Sequence, residues 1–298
     1  MNTTSGRAGF SEMSLSSALV QRVIQKRQVN PWSSRSAING RLESQPFPWT
    51  LPKGDVLIIA GDLCHASALD PKRTDLYRVR QRDRVLQFID AATSAFRHVL
   101  MVAGNHEHYD GVFEDTVPLL RQHLAGVTIL DNETIDLNGT TFFGTTLWTD
   151  LAGRDEAAME KLRRGMGEYF FTKTRQTSEN GATDLVKLRP GDTLTEHDKS
   201  LAHLRNLAVR RPGVIITHHA PSHHGLNPQH KGNGLDGAFA SDLDGLIAEL
   251  SVPFWVHGHT HIRKRYQIAD TTLLTNCRGF DGKDLSARGF SPGCCFDL

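Results

Sequence analysis

The chain has almost no net charge: 34 lysines and arginines stand against 33 aspartates and glutamates, a formal balance of +1 over 298 residues. That leaves no global field to attract nucleic acid or an anionic membrane surface, so an acidic ligand must be held locally. Cysteine is scarce, with Cys64, Cys277, Cys294 and Cys295 only. Two of these are adjacent, which argues against a disulfide framework and for a reducing, cytoplasmic setting. No apolar stretch approaches the roughly 18 residues that read as a membrane span. Neither a cleavable signal nor an internal repeat is visible. Aspartate and histidine are missing from one end: no Asp precedes Asp55, and all 15 histidines lie at or after His65. With 39% hydrophobic and 22% charged residues the remainder is ordinary globular composition, long enough for one large domain with a sizeable core.

The first 48 residues differ in kind. They hold nine serines and six basic residues (Arg7, Arg22, Lys26, Arg27, Arg35, Arg41) against Glu12 and Glu43, a local charge of 6 − 2 = +4. Leu15, Ala18, Leu19, Val23 and Ile24 fall at helical spacing, which predicts a short amphipathic helix. Organelle transit peptides share this composition, but a divergent, loosely ordered extension over 1–48 is the preferred reading, with the main domain at 49–298.

From Trp49 onward four buried strands follow one grammar. "DVLIIAGD", "HVLMVAGNHE", "GVIITHHAP" and "PFWVHGHTH" are each an apolar run ending in ligand-type side chains. In α/β sheets the ligand site lies at the carboxyl ends of the strands, so the four sets can meet at one edge. Segments 75–98, 115–126, 194–213 and 241–250 carry helical periodicity, with Thr195 and Asp198 resembling a cap and Ser241 a start. Asn138-Gly139 between apolar runs predicts a hairpin, and 266–276 a further one. Residues 152–192 read as a long polar excursion near the site.

His257, His259 and His261 stand at every second position. In extended backbone all three would face one point, and convergent imidazoles suggest a metal.

Four motifs in order, Gly61 to Cys64, Gly104 to Glu107, Thr217 to Pro221 and Gly258 to His261, resemble the calcineurin-like metallophosphoesterases. So do Thr146 to Asp150, Phe239 to Leu243 and Asn276 to Gly279, which are similar to segments of the bacterial branch. The resemblance implies an α/β fold, a four-layer α/β/β/α sandwich of two mixed sheets, with the metal site at the strand C-terminal ends. It implies divalent metal ions (Mn, Fe, Ni or Zn), two in the family. Asp62 would bridge them, Asn105, His218 and His259 would complete the second site, and His261 would belong to the first. His257 falls outside this ligand pattern. The expected activity is hydrolysis of a small phosphomonoester or phosphodiester by a metal-held hydroxide, with His106 protonating or stabilising the leaving oxygen.

The competing reading for each of these side chains is a surface or capping polar group, and the ordered context of four motifs outweighs it. His219 stands between substrate contact and support of its neighbour. His108, His223, His224 and His230 read as solvated loop residues, His98, His123, His197 and His203 as helix surface or helix ends, and Cys64 as a space-filling thiol.

The family normally opens with a strand ending in Asp-x-His, whose side chains bind the first metal. That motif is absent, and a first sheet short of one strand is a further expectation. A frameshifted, mis-assigned or divergent N-terminus each accounts for the departure. With Asp62 and His261 alone the first site is depleted, so a one-metal site is the alternative cofactor state. A non-catalytic single-metal binding or scaffold protein of the same fold is the alternative function.

Overall fold

The structure is a computed structural model that describes residues 20–24, 51–207, 212–229, 231–279, 289–291 and 293–298. Five strands form the first sheet: β1 (Val20–Ile24), β2 (Gly54–Ala60), β3 (Phe96–Val102), β4 (Val127–Ile129) and β13 (Cys295–Asp297), in the spatial order β13-β1-β2-β3-β4. Six form the second: β5 (Glu133–Leu137), β6 (Thr140–Thr145), β9 (Val214–Thr217), β10 (Phe254–His257), β11 (Arg263–Ile268) and β12 (Thr271–Asn276), in the order β11-β12-β10-β9-β6-β5. Both sheets are mixed. Strands β2, β3 and β4 run parallel in one, and β6, β9, β10 and β12 in the other.

The period-2 geometry of β2 explains the layering, because successive side chains leave opposite faces of the sheet. Leu57 and Ile59 join Val85, Phe88 and Ile89 of helix α2 (Leu76–Ala95) and Leu120 of α3 (Thr116–His123) in one core. Val56, Ile58 and Ala60 pack instead against Val214, Ile216 and Val256 of the second sheet. The far face of that sheet, with Phe143, Ile215, Trp255 and Leu273, is covered by Leu201 and Leu204 of α7 (Pro190–Asn206) and Ile247 and Leu250 of α8 (Asp244–Leu250). The result is the four-layer α/β/β/α sandwich. The predicted hairpin at Asn138-Gly139 is present, with φ of 50° and 83° at the two turn residues, which suits the primed turns joining β5 to β6.

The structure corrects several local expectations. The N-terminal segment with helical spacing contributes a strand, β1, that pairs antiparallel with β2 and parallel with β13. Ten residues of apolar spacing do not separate helix from strand, and Val20, Val23 and Ile24 are β-branched. The first sheet therefore has five strands and no gap beside β2. The rest of residues 1–48, and with it the expected loose extension, lies outside the described residues. Helix α7 starts at Pro190, not at Thr195, because Pro suits the first helical turn and the Asp192 carboxylate accepts the Arg189 backbone N–H at 2.7 Å. The polar excursion carries secondary structure of its own. It folds as α5 (Glu156–Gly165), α6 (Glu168–Phe171) and the hairpin of β7 (Lys173–Thr177) with β8 (Thr183–Lys187), and Leu162, Met166, Tyr169 and Leu188 make a small separate core. Among the described residues no helix is long and apolar enough to cross a membrane.

If the alternation along β2 separates two cores, Ile58→Ala and Ile59→Ala should each cost about 2–5 kcal/mol in urea unfolding, one from the inter-sheet layer and one from the helix layer. A cost near zero at either position would contradict the layering.

Candidate metal centre

The parallel registers bring the motif residues to one edge. Ala60 opposes Val102 at the end of β2 and β3, and Thr217 opposes His257 at the end of β9 and β10. Asp62, Asn105, His218 and His259 each follow one of these ends by one to three residues. The site thus spans the seam between the two sheets at their carboxyl edges.

Two backbone turns are held in place by one buried carboxylate. Glu107 accepts four backbone N–H groups: from Asp62 (2.8 Å) and Gly104 (2.6 Å) on Oε2, and from Leu63 (2.6 Å) and Cys64 (3.0 Å) on Oε1. It is wholly buried; burial and then Asp62 push its pKa up to about 7, while these N–H groups pull it down. The chain leaves β2 through Gly61 (φ 84°) and Asp62 (φ 61°), two left-handed residues in succession. A Cβ at Gly61 would meet His218 Nδ1 and lie 2.6 Å from the Gly104 nitrogen; one at Gly104 would lie 2.6 Å from His218 Cε1. The two turns and the imidazole therefore touch only because glycine occupies both positions.

The side chains present acceptors to a common point. His218 Nδ1 donates to the Ala60 carbonyl at 2.7 Å, which directs Nε2 and its lone pair into the site. That nitrogen lies 3.1 Å from Asn105 Oδ1, 3.0 Å from His259 Nδ1 and 3.4 Å from Asp62 Oδ1. Asn105 is oriented from behind. Its amide donates to the Tyr109 hydroxyl (3.0 Å) and to Glu168 Oε2 (3.3 Å), and the Tyr109 hydroxyl donates to the same carboxylate (3.3 Å). Its carbonyl oxygen is thereby turned toward His218. The second nitrogen of His259, Nε2, is buried and has no hydrogen-bond partner among the described residues. Two oxygens and two imidazole nitrogens, buried and converging, fit a divalent ion of the borderline class, which satisfies them together.

His106 is half-buried, its ring stacked on Tyr109 at 4.5 Å and its backbone N–H bonded to Asp62 Oδ1 at 3.1 Å. Burial pushes its pKa down to about 4, against the pull of Asp62. His261 (φ 52°) stands at the margin, half-buried.

The extended convergence of His257, His259 and His261 does not occur. The strand ends at His257, and φ of 64° at His259 and 52° at His261 curls the segment. His257 turns away, with Nε2 on the Tyr266 hydroxyl at 2.9 Å. His108 is buried, not solvated. It stacks on Phe113 at 4.3 Å, and burial lowers its pKa to about 3. His197 is also buried rather than on a helix surface, with Nδ1 on the Leu147 carbonyl at 2.9 Å. Cys64 is buried, and burial raises its thiol pKa well above the ordinary value. His219 joins the cluster: one ring nitrogen each of His218, His219 and His259 lies within 4.8 Å of the others. Sequence reasoning missed the anchoring role of Glu107, although it quoted the motif, and missed Glu168, which lies in the polar excursion with no local signal to separate it from its neighbours.

Residues 38–263 match the family model described as calcineurin-like phosphoesterase. The chain belongs to that family. An uncharacterized protein of Acanthamoeba polyphaga mimivirus is 21% identical over 231 residues, covering 72% of this chain and 78% of the relative. The crystal structure of phosphopantetheinyl hydrolase from Mycobacterium tuberculosis superposes with a TM-score of 0.53 at 15% identity, covering 79% of this chain and 84% of that one. That likeness establishes the fold.

Glu107→Gln tests the anchor without changing its size. The amide NH₂ would face two of the four N–H donors, and each orphaned donor costs about 1–3 kcal/mol, so chemical denaturation should show a loss of about 2–6 kcal/mol. A loss below 1 kcal/mol would mean that the two turns hold themselves.

Proposed function

We propose that this protein hydrolyses a small phosphomonoester or phosphodiester using a divalent ion held by Asp62, Asn105, His218 and His259, with His261 beside them. The observation that carries this reading is the convergence on His218 Nε2 of Asn105 Oδ1, His259 Nδ1 and Asp62 Oδ1, at 3.1, 3.0 and 3.4 Å. When bound, ions of the Mn, Fe, Ni or Zn type supply a more acidic water and neutralise charge on the phosphoryl oxygens. The chain's own residues do the rest. Asp62 faces the cluster through Oδ1, 3.4 Å from His218 Nε2. Tyr109 and Glu168 keep the Asn105 oxygen turned inward. His106, held by its backbone N–H on Asp62, protonates or hydrogen-bonds the leaving oxygen.

A second reading, a single-metal protein of this fold without turnover, is supported by one specific feature. Val20 opposes Ile59 and Val23 opposes Val56, so β1 runs toward the amino end of β2 and finishes at the edge opposite Asp62. It brings no Asp or His to the seam.

Removing His259 or Asn105 (to Ala) should empty the site by metal analysis, and His257→Ala should retain metal. His106→Ala should keep metal while slowing hydrolysis by about 10²-fold, more for an alkyl phosphate than for a nitrophenyl ester, whose leaving group needs no proton. Equal losses on both esters would remove His106 from the leaving-group role. Metal binding by the unaltered protein without turnover on either ester would favour the second reading.

A further inference from the structure

We propose that His219 is a metal ligand, so that the ion sits among three imidazoles, those of His218, His219 and His259, with Asp62 and Asn105 supplying oxygens. This rests on the metal-dependent reading above and extends its ligand set by one residue.

The first support is distance. A nitrogen from each of the three rings falls within 4.8 Å of the other two, and all three residues are buried. The second is how the ring of His219 is fixed. Metal-bound histidines commonly give their other ring nitrogen to a carbonyl or carboxylate, which sets tautomer and orientation. His218 does so through Nδ1 on Ala60 O at 2.7 Å, and His219 does the same through Nδ1 on Thr146 O at 3.2 Å. Both rings thereby keep Nε2 as the lone-pair nitrogen. The backbone N–H of His219 bonds that same Thr146 carbonyl at 3.2 Å, and its own carbonyl accepts from Thr217 Oγ1 at 2.9 Å. Thr217 is held in turn by the Trp255 indole N–H at 3.0 Å. The imidazole packs against the Trp148 ring, with centroids 5.0 Å apart, and against the His259 ring, with centroids 4.4 Å apart. A ring packed against two aromatic neighbours and hydrogen-bonded at one nitrogen has little freedom left for a mobile substrate contact.

The third support is chemical. β1 brings neither Asp nor His to the seam, so the oxygen-rich half of the donor set is thin where the imidazole half is full. Three imidazoles favour zinc, nickel or ferrous iron over manganese or magnesium.

The test uses the full chain loaded with Zn(II), and with substoichiometric Cu(II) as a spectroscopic probe. Competition with a chromophoric chelator should give a Kd at least about 100-fold weaker for His219→Phe, beyond the 10–100-fold that loss of a ligand's supporting partner costs. The Phe ring keeps the contacts with Trp148 and His259 while removing both nitrogens. Electron spin echo modulation on the Cu(II) protein should count three imidazoles in the unaltered chain and two in the variant. If His259→Ala weakens Zn(II) binding while His219→Phe does not, His219 is no ligand and the proposal falls, with the metal-dependent reading intact. If the unaltered protein binds neither Zn(II) nor Cu(II), both fall. Should His219→Phe fail to fold by circular dichroism, the imidazole count of the unaltered chain decides, and fewer than three overturns the proposal.

Discussion

The site depends on one buried carboxylate. Glu107 accepts N–H groups from the turn after β2 and from the turn after β3, and so binds together two chain segments that are 45 residues apart at Asp62. Few alternatives exist for those donors. Each belongs to a backbone group leaving a strand end, inside a seam closed to water, where an unpaired N–H is costly. The left-handed path through Gly61 and Asp62 is tolerable because the same carboxylate takes up the N–H groups of Asp62, Leu63 and Cys64, which follow the turn. The aspartate that faces the imidazoles is thus presented on strained backbone by a residue that does not itself face them.

Around that anchor the two sheets divide the work. The first sheet contributes oxygens, from Asp62 and Asn105, and the second contributes nitrogens, from His218 and His259. Neither sheet holds the cluster alone. The inter-sheet core of Val56, Ile58 and Ala60 against Val214, Ile216 and Val256 sets how closely the two sets approach. The bond from His218 Nδ1 to Ala60 O crosses that seam directly, and Glu168, from the inserted segment, completes the arrangement by turning the Asn105 amide. An insertion with its own small core therefore reaches back to orient a residue of the central site.

Much of this was legible in the sequence. Continuous apolar runs ending in Gly-Asp, Gly-Asn-His-Glu, His-His and Gly-His read as parallel strands buried on both faces, and they are. Their alignment at one edge followed from the parallel registers, which the runs imply. What failed were inferences that needed backbone conformation or tertiary context. The His257 to His261 triplet looked extended, but a left-handed turn at His259 sends His257 to Tyr266. His108 and His197 sit in polar sequence and are buried by neighbours distant in the chain. β1 was read as helix because its sequence pattern is short, and its direction beside β2 has no sequence signature at all. Glu168 acquires its role only when α6 docks against Tyr109.

Membership of the calcineurin-like phosphoesterases and the convergent donor set together make a bound cation the central claim. The direct measurement is elemental analysis of the purified 298-residue chain after loading and exhaustive dialysis, paired with phosphoester hydrolysis before chelation, after chelation and after metal return. The account predicts at least one divalent ion retained per chain, activity lost with the ion and regained with it. A chain that retains none, or that hydrolyses at full rate once stripped, would contradict it.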